Sequence, residues 1–206
     1  MNPKVLPKEA WTVVRKLTSA NVLEGWLLAG GTGLALQLGH RVSIDLDFFR
    51  EGALDTHGLR SALAGQGRLE VQAQDADTLH VRLEDVRLTF LRAEAPFLFP
   101  PVPYRGLSVA DIRDIAALKV VAVGGRGSRK DFVDLYAYLE AGGDLRSLMG
   151  LLHRKYVGTT FNEMHLLRSL IYFDDAEQEP MPRMIQDISW KEVRARLEAE
   201  ARLWAP

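Results

Sequence analysis

The segment that most limits what this chain can fold into is WLLAGGTGLALQLGHRVSIDLDFFR, Trp26 to Arg50. An apolar run, Trp26 to Ala29, is broken by Gly30 and Gly31. Gly31-Thr32-Gly33 then leads into Leu34, Ala35, Leu36 and Leu38, the apolar positions of a short helix that Gly39 ends. Arg41 to Phe48 reads as a second strand. Alternation along that strand sends Ser43, Asp45 and Asp47 to one face and Val42, Ile44, Leu46 and Phe48 to the other. One face joins a core and the other presents two carboxylates.

Carboxylates two positions apart on a strand repel, and a divalent cation compensates them most simply. Hard Mg²⁺ prefers oxygen ligands and takes one or two protein carboxylates together with substrate phosphate oxygens, so Asp45 and Asp47 are the candidate metal ligands. The glycine turn suits the same ligand. Backbone N–H groups at a helix N-terminus favour an anion, and residues without Cβ let phosphate approach. Gly30, Gly31 and Thr32 would cradle phosphates and Ser43 would assist by hydrogen bonding. The pattern is not a dinucleotide fingerprint, because Gly31-Thr32-Gly33-Leu34-Ala35-Leu36 lacks the final glycine, and no Walker lysine follows. A phosphate turn beside a metal pair implies a nucleoside triphosphate substrate.

The rest of the chain reads as α+β, a small mixed sheet flanked by helices and followed by a helical C-terminal part. Pro7 to about Ala20 carries Trp11, Val14 and Leu17 at helical spacing, and Asp55 to Leu63 is a short helix stopped by Gly65 and Gly67. Leu69 to Ala73 alternates, and a hairpin follows from Leu79–Leu83 through Glu84-Asp85 to Val86–Arg92. Ala95 to Pro103 is proline-rich and reads as a connection. The expected division is therefore 1–106 for the sheet core and 107–206 for a helical region that completes the cleft.

Ser108 with Asp111 predicts a capping box for a helix through Val123, and Ser128 with Asp131 repeats the pattern for a helix to Gly142. Lys119 falls on the apolar stripe of the first, with Ile112, Ile115 and Ala116. A lysine so placed needs an anionic partner, unless it only packs its stem and extends its amine to the surface. Asp131 fits a cap, and Asp134 fits either an exposed helix side or a partner for a site group. Further helices are expected around Leu145–Lys155, Asn162–Phe173 and Trp190–Trp204, with an acidic loop from Asp174 to Pro182.

A formal charge of −1 excludes a wholly basic coat for nucleic acid but not a local patch. Residues 105–168 carry ten Lys/Arg against seven acids, and Arg126, Arg129 and Lys130 could contact RNA phosphates or form a solvated loop. There is no cysteine, which excludes disulfides and thiolate zinc sites. His40, His57, His80, His153 and His165 show no metal-ligand spacing. Without a signal-like start or an apolar run of about 18 residues, the expected setting is soluble and cytoplasmic, with no membrane partner.

Gly30-Gly31, a thirteen-residue gap, then Asp45-Leu46-Asp47 resembles the signature of the nucleotidyltransferase superfamily, which includes polymerase-beta-like enzymes. GGTGLAL followed by HRVSIDLDFF is similar to its AbiEii branch, the toxin half of type IV toxin–antitoxin and abortive-infection systems. Ala117-Leu118-Lys119, Arg126 and Lys130-Asp131-Phe132-Val133-Asp134-Leu135 resemble that branch's downstream motifs.

The resemblance implies Mg²⁺-dependent transfer of a nucleoside monophosphate from an NTP. Asp45, Asp47 and Lys119 would be catalytic, with Gly30, Gly31, Thr32, Ser43, Lys119, Asp131 and Asp134 on the nucleotide. It also implies a tRNA 3′ end as acceptor and a separately encoded antitoxin. Related enzymes place a third metal carboxylate on a neighbouring strand, where this chain has Thr89. The same core supports transfer to a small molecule of aminoglycoside type. A nucleotide-binding interaction module without turnover is the other alternative.

Overall fold

The computed structural model describes residues 1–158 and 162–204. Its centre is a seven-stranded mixed sheet: β1 (Leu27–Leu28), β2 (Leu46–Arg50), β3 (Leu69–Gln74), β4 (Thr78–Leu83), β5 (Val86–Arg92), β6 (Val102–Tyr104) and β7 (Leu107–Val109). The order is β3-β4-β5-β2-β1-β7-β6. Parallel pairs β2–β5 and β1–β7 are embedded among antiparallel ones.

On β2, β4 and β5 alternate side chains separate cleanly. Leu46, Phe48, Leu79, Val81, Leu88 and Phe90 enter one core, where Phe48 stacks on Phe90 with ring centroids 5.2 Å apart. Helix α1 (Lys8–Ser19) packs Val13, Val14 and Leu17 into this core, and α3 (Thr56–Ala64), capped by Asp55, adds Leu63. The opposite face of the sheet holds Asp47, Thr89 and His80 in one cross-strand row.

Over that second face lie α4 (Ile112–Gly125) and α5 (Arg129–Glu140), with α6 (Leu145–Lys155), α7 (Glu163–Ser169), α8 (Asp174–Glu177) and α9 (Trp190–Trp204) forming a second core around Phe132, Leu135 and Val193. Helix α2 (Gly30–Leu38) joins the two. Ala29, Leu34, Ala110 and Ile115 form a small third cluster between them. No described helix is long and apolar enough to cross a membrane.

Four local expectations are corrected, the first being the acidic loop from Asp174, whose opening residues Asp174–Glu177 form the short helix α8. The strand expected from Arg41 begins only at Leu46, because the preceding backbone bonds elsewhere: Val42 N–H donates to Arg183 O (2.8 Å) and Ser43 N–H to Val5 O (2.9 Å). Ser108 is not a cap but a β7 residue, and Asp111 caps α4 by accepting from Arg113 N–H. The proline-rich connection contains strand β6, which reverses through Arg105 and Gly106 into β7, so the sheet continues past residue 106. Pro103 costs nothing there because β6 is the sheet edge, where an absent N–H breaks no ladder.

Candidate active site

Asp45 closes the loop before β2, and Asp47 is the second residue of that strand. Both line a cleft of about 840 Å³ between the sheet and α4, together with Gly30, Gly31, Ser43 and Lys119. The position of Asp45 is fixed from behind. The hydroxyl of Thr32 donates to the Asp45 carbonyl and lies 2.8 Å from Ser43 Oγ. Burial pushes the Asp47 carboxyl above the usual range, and the Asp45 charge adds to this against the opposing pull of Lys119, Lys130 and Arg126.

The turn expected to cradle phosphate does open a helix. Gly33 N–H donates to Ala29 O (2.8 Å), the first intrahelical bond, so the N–H groups of Gly30, Gly31 and Thr32 are not consumed by the helix. Gly30 has φ +57°, and a Cβ there would overlap the Asp47 carboxylate. A Cβ on Gly31 would overlap the Arg41 guanidinium. Glycine is thus required on steric grounds for the turn to lie directly against the carboxylates.

Lys119 is the hub of the helical side. Its ammonium is 2.7 Å from both Asp131 and Asp134, and both carboxylates are completely buried. Burial alone would lower the Lys119 pKa, but Asp134 and Asp131 raise it above the ordinary lysine value. Burial likewise opposes ionisation of Asp134, yet Lys119, Arg41 and His40 hold its carboxyl well below the usual range. Asp131 is lowered for the same reason, burial being overcome by Lys119, Arg126 and Ser128. In the expected Ser128–Asp131 capping box, the Ser128 hydroxyl donates instead to the Asp131 carboxylate (2.7 Å), which ties the cap into this cluster.

The structure therefore gathers Gly30, Gly31, Ser43, Asp45, Asp47 and Lys119 at one surface, while Thr32, Asp131 and Asp134 lie behind it. Those three were expected on the nucleotide. Thr32 is fully buried and outside the cleft lining, and the two aspartates contact Lys119 rather than the cleft. Arg126 and Lys130 line the cleft, whereas Arg129 is committed to the carbonyls of Ala176 and Glu177 and lies over Trp190.

The carboxylate pair fits a divalent cation on its own chemistry. Asp45 Oδ1 is buried without a hydrogen bond, and its neighbour Arg87 Nε, 2.7 Å away, is a charge partner out of line for one. Among the described residues no third acid joins the pair. Thr89 stands directly beside Asp47 in the β2–β5 register, and its hydroxyl lies 3.1 Å from His80 Nδ1.

Two groups of residues escaped the sequence reading. Arg41 lies under the glycine turn, donates to Asp134 from Nε (2.6 Å) and Nη2 (2.8 Å), and is joined there by His40 Nε2 at 2.8 Å. Asp114 and Lys155 form a second buried ion pair at 2.6 Å. Asp114 also accepts from Leu98 N–H (3.1 Å) and Phe99 N–H (3.0 Å), while Lys155 donates to Pro96 O (2.6 Å). This pair staples the segment 96–99 to the helical layer. The one signal available beforehand was Asp114 on an otherwise apolar helix face.

Comparison with known proteins identifies a family and similar folds. The family described as nucleotidyl transferase AbiEii toxin, type IV TA system, matches residues 13–96 and 77–205. "Uncharacterized protein aq_aa25" of Aquifex aeolicus (strain VF5) is 34% identical over 195 residues, covering 91% of this chain and 92% of that protein. The crystal structure of JHP933 from Helicobacter pylori superposes with a TM-score of 0.56 at 18% identity, covering 96% of this chain and 92% of that one. MenT4, the nucleotidyltransferase toxin Rv2826c from Mycobacterium tuberculosis H37Rv, superposes with a TM-score of 0.52 at 15% identity, covering 95% and 84%. With a family match spanning both the sheet and the helical layer, the chain belongs to the AbiEii nucleotidyltransferase toxins of type IV toxin–antitoxin systems.

Proposed function

We propose that this nucleotidyltransferase moves a nucleoside monophosphate from a magnesium-bound NTP to an acceptor hydroxyl at a tRNA 3′ end, and that a separately encoded antitoxin restrains it. The observation that carries the reading is the packing of Gly30 against the Asp47 carboxylate, with Asp45 and Lys119 facing the same cleft. A phosphate chain on the turn is thereby brought to the carboxylates.

Asp45 and Asp47 would hold the magnesium. When bound, it supplies charge neutralisation and Lewis acidity toward the phosphate oxygens. The N–H groups of Gly30 and Gly31 orient the β and γ phosphates, and the Ser43 hydroxyl adds a donor. In the transfer the acceptor oxygen bonds to the α-phosphorus, the bond from that phosphorus to the bridging oxygen breaks, and pyrophosphate leaves. The acceptor proton passes to solvent. Lys119, kept charged by Asp131 and Asp134, offsets charge developing on the leaving group, with Arg126 and Lys130 at the rim. Asp45 and Asp47 would position the phosphate only through the magnesium they would hold, so the chain itself contributes positioning and electrostatics.

The antitoxin is supported by membership of a type IV toxin–antitoxin family, and the tRNA acceptor by the resemblance of the sequence to the AbiEii branch alone. The test is incubation with magnesium, each labelled nucleotide in turn and total tRNA, comparing wild type with Asp45→Ala. Label reaching RNA with the wild type alone supports the proposal. Label absent from RNA but present on an added aminoglycoside would replace the acceptor, and nucleotide binding without pyrophosphate release would replace the activity.

A further inference from the structure

The cleft has two unlike ends. From Asp45, just before β2, the same side of the chain carries Asp47 and then Phe49 into the cleft. From Arg126, just past the end of α4, the cleft-lining residues run back along the helix through Lys119 and Leu118 to Ile115. The charged end faces the glycine turn. At the other end Phe49 meets Phe97 edge-to-face with centroids 5.9 Å apart, and Ile115 packs in the same cluster. A triphosphate uses only the first end, so the aromatic end is surface that phosphate chemistry leaves unexplained.

What builds that end is the segment from Ala93 to Phe99. Ala93 N–H donates to Arg50 O (2.8 Å), Phe97 N–H to Glu51 Oε1 (3.1 Å), and the Asp114–Lys155 pair holds Pro96, Leu98 and Phe99. Lys155 Nζ also lies 4.8 Å from the Phe97 ring centre. A buried ion pair is a costly way to fasten a surface strap unless the position of the strap matters. The strap carries Glu94, which lines the cleft along with Tyr156 of the facing helical layer. The two are electrostatically coupled, Tyr156 being raised first by burial and then by the Glu94 charge.

Building on the nucleotidyltransfer reading above, we propose that the Phe49–Phe97 end is the seat of the nucleobase and that Glu94 selects bases presenting an exocyclic amine. Aromatic walls accept any base, since every base has a π-face. Discrimination must come from polar groups at the edge. An ionised carboxylate accepts and cannot donate. Along the Watson–Crick edge cytosine offers the N4 amine, adenine the N6 amine and guanine the N2 amine beside N1–H, whereas uracil offers no amine and carries carbonyl oxygens on both sides of N3–H. Uracil therefore meets the Glu94 carboxylate with a single ring N–H flanked by two oxygens that repel it.

The test is equilibrium binding, with magnesium present, of CTP, ATP, GTP, UTP and inorganic tripolyphosphate to wild type, Glu94→Gln and Phe97→Ala. Wild type is expected to bind each amino-bearing nucleotide roughly tenfold tighter than UTP, the scale of one hydrogen bond to a charged group. Glu94→Gln, which can donate to a carbonyl, should bring that ratio close to one without changing tripolyphosphate binding. Phe97→Ala should weaken all four nucleotides and spare tripolyphosphate. UTP binding as tightly as the others to wild type, or an unchanged ratio in Glu94→Gln, overturns the base assignment and leaves the phosphate site standing. Failure of tripolyphosphate and all nucleotides to bind overturns both.

Discussion

Asp134 grips Arg41 through two hydrogen bonds, 2.6 and 2.8 Å, and so ties α5 to the loop that delivers Asp45. The same carboxylate is 2.7 Å from Lys119, so one buried charge positions elements on both sides of the cleft. Asp134→Asn keeps the shape but leaves Arg41 and Lys119 undercompensated. Breaking a buried pair in this way costs about 3–5 kcal/mol. Urea denaturation is expected to show a loss of that size, and a change within about 0.5 kcal/mol, the range of ordinary surface substitutions, would contradict the assignment.

The same cluster sets a pH dependence. Asp131 and Asp134 are held below the usual carboxylate range, so the unfolded chain takes up their protons first. Their contribution is complete above the unfolded value of about 3.9 and is lost as pH falls through the folded values. Lys119 is raised, so its share is complete below about 10.4 and is lost as pH rises through its folded value. The stability gap between wild type and Asp134→Asn should hold steady from neutral pH to about pH 5 and narrow below about pH 4. Denaturation midpoints across that range measure it, and a gap that widens on acidification would reverse the sign.

Asp47 is the opposite case. Its carboxyl is raised by burial and by Asp45, so its ionisation opposes folding once pH exceeds the unfolded value. In chelator at neutral pH, Asp47→Asn is expected to raise the melting temperature, by about 2–4 °C for each kcal/mol relieved. The gain should disappear below about pH 4, where the wild-type group is protonated in both states. Magnesium with NTP should stabilise wild type more than the variant. Equal magnesium and NTP stabilisation of the two would remove Asp47 from the metal site.

Gly30→Ala tests the turn. A side chain at φ +57° costs about 1–2 kcal/mol, and its Cβ overlaps the Asp47 carboxylate. Nucleotide affinity should fall at least about tenfold, a loss of about 1.4 kcal/mol. Wild-type affinity in the folded variant would mean that phosphate does not lie on this turn.

The parts of the molecule legible in the sequence are those whose signals are local. The β4–β5 hairpin and α6 and α9 are readable from alternation, turn residues and helical spacing, and alternation also puts Asp45 and Asp47 on the one side where both line the cleft. The segment from Arg41 to Asp45 was misread because alternation says nothing about hydrogen-bond partners. Its partners are Val5 and Arg183, both distant in sequence. Prolines hid β6 because an edge strand tolerates them. Asp114 and Lys155 meet across 41 positions, and no local pattern announces a pair closed only by tertiary packing.

The most direct measurement is pyrophosphate released per nucleotide joined to RNA, with magnesium, NTP and tRNA, for wild type, Asp45→Asn and Asp47→Asn. The account predicts one pyrophosphate per joined nucleotide for wild type and loss of both signals in each variant, with folding retained. Undiminished release in either variant would show that the carboxylate pair beside Gly30 is not where transfer occurs.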